Sequence, residues 1–293
     1  MGAVPKVSVI IPHFRDLSGL DRCLTALSTQ TLPQDEFEVI VADNASPQGE
    51  AVVAKAIAGR ASLVVVAERG AGPARNGAVA MARGRVLAFI DSDCVAESEW
   101  LAEGVAALGT YDFVGGRVRV LVDNPDQMTP TEAFERVFAF DFKTYITKQG
   151  FTGSGNLFCS RSLFTAVGGF RAQVSEDVEW SRRAVSLGYR LGYAPKAIVG
   201  HPGRRTWQDL WSKWRRVNVE MFALTASDTK GRVRWLARAL ALPASAVVHS
   251  GRVFVSPDLA TLRQRLDALA VLYRLRVVRM IHAVQLLWSS DTR

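Results

Sequence analysis

The chain has 293 residues, 48% of them hydrophobic and 22% charged. That balance excludes general disorder and allows one large domain with an appendage, or two domains. Its net charge of +8 is uneven: residues 1–202 hold 20 Lys/Arg against 22 Asp/Glu, a net of −2, and residues 203–293 hold 16 against 6, a net of +10. Such asymmetry points to an anionic surface as partner of the last third. Cys23, Cys94 and Cys159 match no zinc spacing and no disulfide framework, which suits a reducing compartment. Met1 to Lys6 is too short and polar for a signal peptide. No uncharged apolar run reaches the ~18 residues of a spanning helix, and the stretch Ala239–Gly251 is short and broken by Pro243. The expected location is the cytoplasm, with the option of a peripheral place on the inner face of the membrane.

Val7–Ile11 reads as a first strand, followed by Pro12-His13-Phe14-Arg15-Asp16. The Gly-x-Gly-x-x-Gly turn of a dinucleotide fold is missing there, which argues against hydride transfer, and the chain has no Gly-Lys-Ser/Thr phosphate loop. Leu17, Leu20, Leu24 and Leu27 recur at helical spacing, with Asp16 or Ser18 as the cap. Phe37–Val41 is a second strand, closed by Asp43-Asn44-Ala45-Ser46-Pro47. Asp43 there suits either an Asx turn or a contact with a nucleotide. Leu63–Val66 is a third strand. Two glycines and Pro73 then lead into a helix expected to reach Arg83. Arg69 and Arg75 flank that helix start, where an anion such as a diphosphate is favoured.

Val86–Ile90 is the fourth strand, a continuous apolar run of the kind buried in a parallel sheet. Asp91 and Asp93 follow it. On an extended segment they would point to one side, at the sheet edge where open α/β folds bind ligands. Paired carboxylates there suit Mn²⁺ or Mg²⁺ shared with substrate phosphates.

Four strand–helix alternations define a parallel α/β sheet. Val-Ser-Val-Ile-Ile-Pro at 7–12, Asp-Asn-Ala-Ser at 43–46, Gly-Pro-Ala-Arg-Asn-Gly at 72–77 and Asp-Ser-Asp at 91–93 resemble, in order and spacing, the nucleotide-sugar half of family 2 glycosyltransferases. The resemblance implies the GT-A fold, a mostly parallel sheet flanked by helices, with a basic helical C-terminal extension added here. It implies a nucleotide-sugar site at Pro12, His13, Asp43, Arg69, Arg75, Asn76, Asp91 and Ser92, with Asp43 on the base. It implies a metal at Asp93 with Asp91.

Tyr111–Val122 reads as a strand or hairpin with Gly115-Gly116 as a bulge, and Thr131–Lys148 as one helical stretch. The loop 151–158 is similar to the family's acceptor segment, placing Gly153 and Asn156 at the acceptor. Ser175-Glu176-Asp177-Val178-Glu179-Trp180 opens a helix, with Ser175 or Asp177 as cap. It looks like the family's Glu-Asp motif, which implies Asp177 as catalytic base beside Glu176, and Trp180 near the acceptor. A sugar hydroxyl needs such a base, and neighbouring Glu176 and Glu179 would raise its pKa. Tyr189–Tyr193 and Ala197–Val199 read as two short strands. They lead to His201, which in members of this fold completes the metal site.

Trp207, Trp211 and Trp214 share one helical face flanked by Lys213, Arg215 and Arg216. The pattern suits a core stripe or an interfacial helix. The Gln-x-x-Arg-Trp segment of processive synthases is missing, which argues against a polymerase. Leu259–Trp288 is long and helical in period, and residues ~221–293 read as amphipathic helices that dock on the catalytic part or lie on anionic lipid.

The expectation is a catalytic region over 1–220, with 1–100 for the nucleotide sugar and 101–220 for acceptor and base, and a basic tail over 221–293. The expected activity is inverting, metal-dependent transfer from a nucleoside-diphosphate sugar, UDP-sugars first, to a hydroxyl of a lipid-linked or envelope acceptor, with no nucleic acid partner. A nucleotidyltransferase and a catalytically silent membrane scaffold are the alternatives.

Overall fold

The computed structural model describes residues 4–289, which divide into two compact units: residues up to Arg119 with Phe140–His201, and Val120–Ala139 with the residues from Pro202 onward. The first unit follows from alternation. Strand β1 (Val7–His13), helix α1 (Leu17–Leu27), β2 (Phe37–Asp43), α2 (Glu50–Ile57), β3 (Ser62–Val65), α3 (Ala71–Met81) and β4 (Val86–Ile90) succeed one another. Their strands pair in parallel, with β1 between β2 and β4 and β2 against β3. Parallel pairing needs crossovers, so helices cover both sheet faces and the central strands are apolar throughout.

The pleat sorts their residues. Val9, Ile11, Val41, Ala88 and Ile90 pack with Leu20 and Leu24 of α1 and with Val53 of α2. Ile10, Ile40, Leu87 and Phe89 pack on the other side with Ala74 and Ala78 of α3. Both layers are dry, with most of these side chains fully buried. Asp16 is the cap of α1, its carboxylate accepting from Gly19 N at 2.8 Å.

The later elements of the chain are β5 (Val95–Ala96), α4 (Trp100–Ala107), β6 (Phe113–Leu121), α5 (Pro130–Phe138), α6 (Phe142–Gln149), β7 (Asn156–Ser160), α7 (Arg161–Val167), α8 (Glu176–Ser186) and β8 (Leu191–Pro202). They complete an eight-stranded sheet ordered β3-β2-β1-β4-β7-β6-β8-β5. The pairs β4–β7, β6–β7 and β5–β8 are antiparallel.

Three expectations change here. Residues 131–148 form two helices, because Ala139 is extended, Phe140 is left-handed (φ +57) and Asp141 starts a new helix by accepting from Thr144 N. Gly115 and Gly116 form no bulge; β6 keeps register with β7 through Gly115, and side chains at the two positions would strike Thr152 and Asn156. The two short strands after Tyr189 are one strand, β8, which tolerates Pro195.

The second unit holds α5 with α9 (Trp207–Thr225), α10 (Thr229–Leu240), α11 (Leu242–Val255) and α12 (Leu262–Ser289). Its core joins Phe134 of α5, Leu210 of α9, Val253 of α11 and Leu272 of α12. The Trp stripe of α9 faces inward: the guanidinium of Arg274 lies 3.9 Å from the Trp207 ring and that of Arg279 3.9 Å from the Trp214 ring. These half-buried tryptophans pack against the core of the second unit, as the core-stripe reading of the sequence expects. No described helix is long and apolar enough to cross a membrane.

Candidate active site

Every expected site residue lies in the first unit: at the ends of β1, β2 and β4 and just after them, after β3 and in α3, in the loop before β7 and on β7, at the start of α8, and near the end of β8. Asp91 and Asp93 do converge, but not by the pleat. The segment after β4 turns, with Cys94 N donating to Asp91 O at 3.0 Å, and Ser92 occupies the turn. Carboxylate oxygens of both aspartates and Cys94 Sγ lie within 4.8 Å of one another.

Both carboxylates are about one-third exposed, at 36% and 38%. Burial pushes the Cys94 thiol well up, with Asp91 and Asp93 adding repulsion. It is therefore a protonated thiol beside the carboxylates.

His201 reaches the same place through sheet register. The β5–β8 pair sets Val95 opposite Gly200, so His201 falls opposite Cys94. Its Nε2 is 3.4 Å from Asp93 Oδ2, and its ring packs 4.6 Å from that of Phe140. The two hard carboxylates suit Mn²⁺ or Mg²⁺, and the imidazole stands beside Asp93. Gly155 opposite them is required, since a methyl group there would lie 2.5 Å from Asp91 Oδ2.

Arg75 joins this corner to α8. Its guanidinium, only 4% exposed, donates to Asp91 Oδ1 at 2.6 Å and to Glu176 Oε1 at 3.0 Å. Burial opposes its charge, and Asp91, Glu176 and Asp177 more than restore it. Glu176 in turn precedes Asp177, whose Oδ1 accepts from Val178 N at 2.8 Å and from Ser175 Oγ at 3.1 Å. Neither Ser175 nor Asp177 caps α8 in the expected way: Ser175 is the cap residue, and its hydroxyl goes to Asp177. Desolvation, then repulsion from Glu176, pushes the Asp177 carboxyl up from 3.8 to about 6. Glu179 is instead paired with Arg171 and Arg183.

The remaining expected residues divide into those at the rim and those consumed by the fold. Asp43 is 1% exposed; His13 Nδ1 lies 2.8 Å from its Oδ1, and Ser46 holds both oxygens through its amide and hydroxyl. The Asx-type turn is therefore real, and it fixes the Asp43 carboxylate in place. His13 Nε2 is buried without a hydrogen-bond partner. Pro12 is half-buried at the end of β1, and Arg69 is exposed beside Gly70.

Asn76 donates to Phe170 O at 2.8 Å and accepts from Phe170 N at 2.9 Å, so it staples α3 to the segment before α8. Asn156 is saturated by Trp100 Nε1, Arg117 O and Ala197 O. Trp180 is fully buried, and its Nε1 donates to Gly168 O. Gly153 is buried with the Phe142 ring where a side chain would stand. In the structure these three are engaged in internal packing and hydrogen bonds.

Sequence reasoning missed the role of Asn44. It accepts from Gly70 N at 2.8 Å and donates to Val66 O and Glu68 O, tying the β2 loop to the Gly-rich turn. Its place directly after Asp43 was the available signal.

The sequence profile of glycosyl transferase family 2 matches residues 8–170. The chain belongs to that family. Glycosyltransferase AglE of Haloferax volcanii is 34% identical over 209 residues, covering 69% of this chain and 68% of its own length. Poly(ribitol-phosphate) beta-glucosyltransferase of Bacillus spizizenii is 33% identical over 113 residues, 37% of this chain and 17% of its own length. Among solved structures, the mannosyltransferase PcManGT of Pyrobaculum calidifontis, in complex with GDP-Man and Mn²⁺, superposes with a TM-score of 0.63 at 22% identity. It covers 99% of this chain and 89% of its own. TarS residues 1–349 of S. aureus, in complex with UDP, gives a TM-score of 0.51 at 18% identity, covering 93% of this chain and 90% of its own. At these identities the structural likeness is one of fold, and the fold of this family 2 member is GT-A.

Proposed function

We propose that this family 2 member transfers a sugar from a nucleoside-diphosphate donor to an acceptor hydroxyl with inversion, using Asp177 as base. The observation that carries the reading is the Arg75 bridge. One buried guanidinium binds Asp91 and, 101 residues away in sequence, Glu176. A carboxylate suited to the donor side and the motif suited to the acceptor side thus share one cation.

Asp93 and His201, with Asp91 beside them, would hold Mn²⁺ or Mg²⁺, and that ion would supply charge neutralisation for the departing diphosphate. Asp177 has Oδ1 engaged by Val178 and Ser175, which leaves Oδ2 to take the acceptor proton. A carboxyl poised at about 6 is ionised at neutral pH yet basic enough to accept a proton as the new bond forms. Attack then comes opposite the leaving group, which inverts the anomeric centre. Arg75 ties Glu176 at the first turn of α8 to Asp91.

UDP-sugars are the first donors to test and GDP-sugars the second, since relatives have been solved with UDP and with GDP-Man. A lipid-linked or envelope acceptor agrees with the net +10 of residues 203–293 and with a relative named for poly(ribitol-phosphate). The same charge supports attraction to an anionic membrane surface.

The test is incubation with radiolabelled donors and Mn²⁺, with separation of nucleotide products. Nucleoside diphosphate release that depends on Asp177 supports the reading. Pyrophosphate release would make the chain a nucleotidyltransferase, and no turnover with any donor would favour a silent scaffold.

A further inference from the structure

The second unit leaves one surface unpartnered. Along α10 and α11, Val233, Leu240, Val247 and Phe254 recur every seventh residue and are 64%, 59%, 64% and 54% exposed. Ala241, between the helices, is itself right-handed helical (φ −76, ψ −13), so the row runs across the junction. Val248 and Val255 widen it and are 79% and 81% exposed. On α12, Leu262, Leu266, Tyr273, Val277 and Ile281 form a second exposed row at four- and seven-residue spacing. The rows adjoin, because Ser250 Oγ and the Tyr273 hydroxyl oxygen Oη lie 3.2 Å apart at an exposed contact of α11 with α12.

A large apolar face on a soluble surface marks an interaction site. Its charge decides the partner. Residues 229–257 contain Lys230, Arg232, Arg234, Arg238 and Arg252 and no Asp or Glu. A second copy would bring these cations against its own, and the three helices offer a single acid, Asp267, already beside Arg263. Nucleic acid would satisfy the cations but leave the valines in water. Only an anionic lipid surface answers both features, taking phosphates at Arg234 and Arg238 and acyl chains against the valines.

We propose that the outer faces of α10, α11 and α12 insert together into one leaflet of an anionic membrane, lying in the interface and not spanning it. The inference rests on the membrane reading given above and goes further, from charge attraction to apolar insertion.

The full chain carrying Val248→Cys provides the test, because the three native cysteines are buried and escape labelling. An environment-sensitive fluorophore at position 248 should shift to the blue with phosphatidylcholine/phosphatidylglycerol vesicles and stay unshifted with phosphatidylcholine alone. The V248D/V255D chain, altered only at exposed positions, should partition onto those vesicles about tenfold or more weakly, with its far-UV circular dichroism unchanged. Binding of the parent should fall with salt but persist in part at 0.5 M NaCl, roughly where surface attraction is screened within a few ångströms.

If the labelled chain sediments with the vesicles while its emission stays aqueous, and V248D/V255D binds like the parent, contact is by charge alone; the insertion is then wrong and the membrane reading stands. If no chain sediments with anionic vesicles, both fail. A blue shift that appears on raising protein concentration without vesicles would assign the face to a second copy and overturn the proposal.

Discussion

Replacing Asp177 with Asn should make the protein more stable and nearly inactive. Asn keeps an oxygen able to accept from Val178 N and Ser175 Oγ, so the start of α8 stays in place. What is lost is a negative charge in a poor site. The carboxyl stands near 6 against an ordinary 3.8, which at 1.36 kcal/mol per unit makes its ionisation cost about 3 kcal/mol of stability at most, or about 1–3 kcal/mol for a half-buried group. The folded protein binds this proton more tightly than the unfolded chain does. The cost is therefore full above pH 6, shrinks as pH falls, and is gone below 3.8.

Urea unfolding of parent and Asp177→Asn should thus differ by about 1–3 kcal/mol in favour of the variant at pH 8 and converge near pH 4. Turnover should drop by ~10²-fold or more at pH 8. A variant that is less stable than the parent at pH 8 would refute the burial argument. One that turns over like the parent would remove Asp177 from the chemistry.

In the parent, kcat/KM should fall about tenfold per pH unit below 6, and a profile flat to pH 5 would exclude Asp177 as the titrating base. Arg75→Met strands Asp91 and Glu176, so it should cost ~3–5 kcal/mol in urea unfolding and abolish transfer; a change below ~1 kcal/mol would mean that the bridge is loose. His201→Ala should raise the Mn²⁺ concentration for half-maximal activity ~10-fold or more with little change in donor KM at saturating metal, and an unchanged metal requirement would take His201 out of the site. Asn156→Ala orphans Trp100 Nε1 and two carbonyls, so it should destabilise by ~2–4 kcal/mol. The acceptor KM of its folded fraction should match the parent's, and a selective rise in that KM would restore Asn156 to the acceptor.

Much of the donor half was legible in residue order. β1, β2 and β4 announce themselves as continuous apolar runs, and each ends in the residues that the fold sets around one corner, because parallel strands share a carboxyl edge. Asp91 and Asp93 were found for an incomplete reason, since a turn and not the pleat brings them together. The polar residues read as contacts fared differently. Asn76, Asn156 and Trp180 carry the right chemistry, but their hydrogen-bonding groups are spent on backbone and indole partners far away in the chain. No local pattern reports such a partner.

The sequence by itself determined the sheet's order of construction, the acid pairs available for chemistry and the positive excess of the tail, because composition and short-range periodicity suffice for each. Tertiary structure alone decided three things: that Arg75 spans Asp91 and Glu176, that the tryptophans of α9 face inward, and that a row of valine, leucine and phenylalanine at every seventh residue of α10 and α11 is left in water. The reason is that helical periodicity tells which residues share a face, while only the packing of one helix against its neighbours tells which face is covered.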